Sequence, residues 1–308
     1  MGKSRRSSVL LGAVLAITLT AAACSAEEPQ EKRPGDPIVI GSFDFGESEL
    51  LGEIYRIVLE ENNYDVRHEM RLGTREDDIT PALLAGEISF VPEYIGSALE
   101  VTFGREPPAD PEATAAALGE LWAAEGFAVL DHTPAQDKYT LTVTGATAST
   151  LGLEQVSDLS GKADGLILGG PVDCVERVRC LLGLEEVYGL TFAEFKRLDA
   201  GGPITVQALK SDEIQIGFLY SSDGTIAQEG FVILDDDRGL GPAENIAPVV
   251  AAAIVEHYGQ EFIDLIDSVS TIITQDELIR MNQEVKYNGA DAAEVARAFL
   301  ETKQLIES

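Results

Sequence analysis

"IVIGSFDFGESELLGEIYRIVLEENNYDVRHEM", residues 38–70, decides the fold class. Its opening "IVIGS" (38–42) is rich in β-branched residues, which suit extended backbone. Leu50, Leu51, Ile54, Ile57 and Val58 then recur within residues 47–63 at the spacing that gathers apolar side chains on one helical face. "YDVRHEM" (64–70) alternates as a strand does. "DITPALLAGEI" (78–88) places Pro81 in a first helical turn, where its missing N–H has no partner to lose. Strand, helix, strand, helix is the signature of an α/β fold.

Outward from this stretch, residues 111–126 read as a helix that carries Trp122 in the core, with Gly126 at the capping position. "KYTLTVTG" (138–145) reads as a strand that carries the chain into a second lobe, where residues 157–237 again alternate strand and helix. After "NIAPVVAAAIVEHYG" (245–259) come helices over 274–285 and 291–305, with the acidic first turns that a helix dipole favours. The roughly 270 residues beyond position 37 are long for one core and suit two. The expected organisation is lobe one over 38–138 and 244–308, with lobe two over 139–243. Ligands of such proteins commonly lie in the cleft between lobes.

The N-terminus has another character. Lys3, Arg5 and Arg6 precede the apolar run 9–19 and "TAAAC" (20–24), the three zones of a secretory signal. The apolar run is shorter than the ~20 residues that a spanning helix needs. A cysteine after three alanines resembles the lipobox of bacterial lipoproteins, which would make Cys24 the lipidated first residue of the mature chain. Ala21 stands where that motif usually has leucine, and simple secretion is the alternative. Residues 1–23 are thus read as signal and 24–37 as a polar, proline-containing tether. The expected location is extracytoplasmic, lipid-anchored to the cell membrane.

The chain carries a formal charge of −31, and loss of Lys3, Arg5 and Arg6 with the signal moves it to −34. Such a surface argues against nucleic acid and against adsorption to anionic lipid. It is compatible with a cationic ligand or a saline exterior, although a solvated, solubilising face is the better reading. Cys174 and Cys180, six apart in "CVERVRC", read as a disulfide in an oxidising compartment, holding the geometry around Arg177. Closing so short a loop contributes roughly 2 kcal/mol. A metal site is the weaker reading, since only His68, His132 and His257 remain as borderline ligands. "DDD" (235–237) lacks the spacing of a calcium loop, and "GLGPAENIAP" (239–248) lacks a dinucleotide fingerprint. No G-x-S-x-G, H-E-x-x-H or P-loop is present, so an enzyme is not expected, and an extracytoplasmic hydrolase ranks last among the readings.

Five segments in order carry a resemblance: "IVIGSFDFGESELLGEIYRIVLE", "ALLAGEISFVPEYIGSAL", "GGPVDCVERVRCLLGLEEVYGL", "LDAGGPITVQALKSDEIQIGFLYSSDG" and "VILDDDRGLGPAENIAPVV". From about residue 38 to the C-terminus the chain resembles the substrate-binding proteins of osmoprotectant ABC transporters, the ProX/OpuC-like group that captures glycine betaine, choline and related quaternary amines. The resemblance implies a two-lobed periplasmic-binding-protein fold of type II, a venus-flytrap that closes on its ligand. It also implies a monomer that serves ABC permease subunits driven by a cytoplasmic ATPase, with no cofactor.

It implies a pocket of aromatic rings as well. A trimethylammonium group has no N–H to donate, so ring faces hold it, each contributing ~0.5–2 kcal/mol. Tyr94 in "PEYIGSA", Tyr139 in "DKYTLTV" and Tyr220 in "LYSSDG" match the family's cage tyrosines. Arg177 matches an arginine that grips a ligand carboxylate, and Asp137 a carboxylate near the cation. Gly96 would let backbone and ligand approach, while Glu93 would support the wall from behind. Glu244 and Asn245 stand where some members carry a further tyrosine. A glutamate facing the pocket favours a net cationic ligand such as choline, or a bulkier zwitterion such as ergothioneine or carnitine. A lipoprotein that senses ligand without transport is a further alternative.

Overall fold

In a computed structural model, residues 1–2, 32–177 and 179–307 are described; the rest of the expected signal, Cys24 and most of the expected tether lie outside these. Residues 32 onward form one compact unit built on two five-stranded sheets.

The first sheet has the order β2-β1-β3-β10-β4, from β1 (Ile38–Phe43), β2 (Val66–Gly73), β3 (Phe90–Tyr94), β4 (Phe127–Val129) and β10 (Ile246–Ala251). β1 runs parallel to β2 and β3, and β10 lies antiparallel between β3 and β4. The second sheet has the order β7-β6-β8-β5-β9, from β5 (Tyr139–Thr144), β6 (Ile167–Pro171), β7 (Glu194–Leu198), β8 (Ile216–Tyr220) and β9 (Phe231–Ile233). The α/β class expected from residues 38–88 is therefore the one observed. Strands buried on both faces read as near-continuous apolar runs, as "FVPEY" and "IAPVV" do.

Each sheet has its own core. On the first, Leu50, Leu51, Ile54, Ile57 and Val58 of the helix Gly46–Glu61 pack with Ile38, Ile40 and Phe90. Trp122 is buried there too, edge-on to Phe103 and Phe127. The second buries Leu141, Val143, Leu168, Ile216 and Phe218 with Cys174 and Cys180, which form the expected disulfide. The helix Gln275–Tyr287 touches both sheets: Leu278 and Met281 belong to the first core and Ile279 to a third cluster that includes Leu219 of β8 and Phe231 of β9.

One element differs from the sequence reading, which leaves residues 260–272 unassigned. They form the helix Gln260–Ile272 and bury Phe262, Ile266 and Val269 at helical spacing. Gly259, at φ 69°, breaks the backbone between this helix and Ala252–Tyr258, so the apolar pattern continues across a bend instead of stopping. "DDD" forms a turn in which Asp236 accepts the backbone N–H groups of Leu240 and Gly241, and Asp237 that of Ser157.

Two chain segments connect the sheets side by side. Gln136 pairs antiparallel with Asn245, and the Asp137 N–H donates to the Glu244 carbonyl at 3.0 Å. Gln275 ties this crossing to the end of β8 by donating to the carbonyls of Gln136 and Ser221. Asp137 and Glu244 thereby sit at the crossing itself, and Tyr139 and Tyr220 just beyond it.

Candidate functional site

Strand register gathers the rings. Tyr139, the first residue of β5, faces Tyr220, the last of β8, in their antiparallel pairing, with ring centroids 5.3 Å apart. Phe218, two residues before Tyr220 and so on the same face, stacks on Tyr139 at 4.8 Å and 10°. Tyr94 closes β3, and its ring lies 5.9 Å from Phe45 and 6.2 Å from Phe43. Phe43 and Phe45 are themselves stacked at 5.8 Å. Two of these rings face open space: Tyr220 is 43 % exposed and Phe45 40 %. Both rings border the cleft between the sheets.

The space between the sheets divides into two adjoining chambers. The first, about 630 Å³, has walls from Phe45, Glu47, Arg75, Tyr94, Asn282 and Lys286. The second, about 970 Å³, is lined by Lys138, Tyr139, Arg177, Arg179 and Glu244. Ser97, Asp137 and Tyr220 border both. All six residues expected at the site thus reach the cleft, but Tyr94 faces the first chamber while Tyr139, Arg177 and Glu244 face the second. The first chamber carries Arg75 and Lys286 as its basic groups; the second carries more of them, with Glu100, Glu106 and Glu244 beside them.

Buried carboxylates line both chambers. Glu47, in the first turn of its helix, accepts from the Tyr94 hydroxyl at 2.7 Å and from the Asn282 amide. Its pKa is raised because burial outweighs these bonds. Asp137 takes the Ser222 hydroxyl at 2.6 Å, and burial and then the charge of Glu47 push it well above the usual carboxylate range. Tyr94 is held well above 10.0 by burial and the same glutamate, so it remains a neutral donor. Glu244 is raised by burial, against two bonds from Ser97, N–H and hydroxyl, both at 2.9 Å. Gly96 makes room for it: a Cβ there would stand 2.5 Å from the Ala243 carbonyl oxygen and 3.0 Å from the Glu244 carboxylate.

Glu93 lies behind this wall, fully buried. Arg75 Nη2 reaches it at 2.6 Å, the Tyr94 N–H donates to it at 2.7 Å, and the same guanidinium lies 4.9 Å over the Phe43 ring. In the second chamber, the loop closed by the disulfide presents Arg177, whose charge acts on Tyr220 against the upward push of burial.

Sequence reasoning missed Phe45, Glu47, Arg75, Ser222 and Asn282. Only Phe45 had a visible signal, an aromatic residue in "FDFGES" past the end of a strand and ahead of a helix.

A cleft between two α/β sheets, walled by open rings and carboxylates, defines a two-lobed solute-binding protein. No helix among the described residues is long and apolar enough to cross a membrane. The chain belongs to the family of the substrate-binding domain of ABC-type glycine betaine transport systems, which it matches over residues 36–302. Members of this family serve transport rather than catalysis. The chain is 26% identical over 285 residues to the glycine betaine-binding protein YehZ of Escherichia coli (strain K12), covering 87% of this chain and 90% of that one. It is 22% identical over 271 residues to the ergothioneine transport permease/ergothioneine binding protein EgtU of Helicobacter pylori (strain G27). That match covers 86% of this chain and 47% of the relative, so the chain spans about half the relative's length. The crystal structure of a glycine betaine/carnitine/choline ABC transporter protein superposes with a TM-score of 0.81 at 23% identity, over 87% of this chain and 99% of that one. That likeness bears on the fold: two lobes of the periplasmic-binding-protein kind.

Proposed function

We propose that this protein captures a quaternary-ammonium solute outside the cytoplasm and hands it to an ABC permease driven by a cytoplasmic ATPase. In this reading it acts as a monomer tethered through lipidated Cys24. Lobe one comprises residues 38–138 and 244–308, lobe two residues 139–243, and ligand favours their closed arrangement by its higher affinity for it.

The observation that carries the reading is the set of open rings, Phe45 and Tyr220, flanking Tyr94 and Asp137 in the first chamber. Ring faces attract a cation that cannot donate a hydrogen bond, and Glu47 and Asp137 add negative potential behind them. Tyr139 backs Tyr220 from the second chamber, where Arg177 would hold a ligand carboxylate. The room around Arg177 favours a second reading within the same class: a longer zwitterion, carnitine-like or ergothioneine-like, that spans both chambers, with Glu244 among its polar contacts.

A thermal-shift panel of glycine betaine, choline, carnitine and ergothioneine, with amino acids and sugars as controls, tests the class. Ligand at 100 times its Kd adds ~2.7 kcal/mol, readily seen as a raised Tm. Stabilisation by a quaternary amine supports the reading; stabilisation by controls alone refutes it.

A further inference from the structure

Glu47 and Asp137 come from distant parts of the chain and meet at one hydroxyl. Ser222 Oγ donates to Asp137 Oδ1 at 2.6 Å and its hydroxyl also acts on the Glu47 carboxyl, while the Asn282 amide ties Glu47 to the Ser222 carbonyl, all in the wall of one chamber. A serine hydroxyl has a single proton to donate, so it cannot serve two ionised carboxylates at once. Tyr94 spends its one donor on Glu47, and the Asn282 amide divides its N–H groups between Glu47 and the Ser222 carbonyl, so neither serves Asp137. The cations lining this chamber are engaged elsewhere, Arg75 with Glu93 at 2.6 Å and Lys286 with Asp223 at 2.9 Å. Glu244, the other carboxylate whose charge acts on Asp137, is held by Ser97. Two negative charges facing each other in this wall repel strongly unless a proton or a cation lies between them.

We propose that Glu47 and Asp137 share one proton in the empty cleft and release it when a permanently cationic headgroup enters, which makes the pair the determinant that selects cationic ligands. The inference rests on the quaternary-ammonium reading above. In the empty cleft a carboxyl O–H donates to Ser222 Oγ, whose own proton serves the other carboxylate. On binding, that O–H breaks, its proton leaves to solvent, and the trimethylammonium charge takes its place beside two ionised carboxylates. The ligand has no titrating group of its own in this range, so any proton released comes from the protein. The raised pKa of both groups agrees with a retained proton.

Calorimetry of choline binding in buffers of different ionisation enthalpy, repeated over a pH series, counts the protons. Below the pair's titration the expected release is about one proton per choline, and affinity rises up to about tenfold per pH unit. Asp137→Asn should abolish the release and flatten the pH profile. Infrared spectra of the wild-type protein supply a readout that needs no variant: a protonated-carboxyl band present without ligand and lost with choline. Choline binding with no proton release and no such band overturns the inference while leaving the binding reading intact. Absence of binding by every quaternary amine overturns both.

Discussion

Replacing Phe45 with alanine removes a ring that the fold barely needs and the ligand does. The ring is 40 % exposed and stacks on Phe43 at the lip of the first chamber. An aromatic side chain offers on the order of 200 Å², so roughly 80 Å² of Phe45 stays open, and covering half of it contributes about 1 kcal/mol at ~25 cal/mol per Å². The attraction of the ring face for a desolvated cation adds ~1–2 kcal/mol. Phe45→Ala should therefore weaken choline binding by roughly 2–3 kcal/mol, about 30- to 150-fold. Phe45→Leu keeps apolar area without the quadrupole and should recover only about the first 1 kcal/mol. Titration calorimetry on the three proteins, with urea unfolding to confirm intact folds, reads these differences. An alanine variant within threefold of wild type, or a leucine variant fully equal to it, refutes the role given to this ring.

Three further outcomes follow from the same geometry. Arg75→Met leaves fully buried Glu93 without its cation and should cost about 3–5 kcal/mol in urea unfolding; adding Glu93→Gln should recover most of it, and an unaffected single variant would contradict the buried pair. Gly96→Ala drives a methyl against the Ala243 carbonyl and the Glu244 carboxylate, and should cost roughly 1–3 kcal/mol while weakening ligand binding; a neutral substitution would mean the segment shifts freely. Because Asp137 titrates well above 3.8 in the folded chain, the folded state holds more protons than the unfolded one from the ordinary carboxylate range up to that raised value. Stability of the ligand-free protein should accordingly be fullest below this window and fall as pH climbs through it, and Asp137→Asn should flatten the fall in denaturant titrations; an unchanged slope would count against a retained proton.

The α/β class was legible because a β-branched strand at Ile38–Phe43 is followed by a helix whose Leu50, Leu51, Ile54, Ile57 and Val58 recur at helical spacing. The helix Gln260–Ile272 escaped because Gly259 bends the chain inside a continuous apolar pattern. Tyr94, Tyr139 and Tyr220 were visible as residues at strand ends in a resembling family, yet the facing of Tyr139 and Tyr220 depends on register, which a single sequence does not display. Glu47 and Asn282 are 235 positions apart and meet through helix packing alone, and acidic residues are too common in this chain for one to stand out. The division into two chambers was likewise hidden, since it depends on how the crossing at Asp137 and Glu244 sits between the sheets.

The central claim is that rings and carboxylates in the first chamber hold a fixed positive charge. Calorimetry comparing choline with 3,3-dimethylbutanol, which has the same shape and no charge, tests it most directly. Phe45, Tyr94 and Tyr220 each contribute ~0.5–2 kcal/mol only to the cation, so choline should bind at least about tenfold more tightly. Equal affinities for the two would show that the cleft recognises shape and apolar surface alone, and would contradict the account.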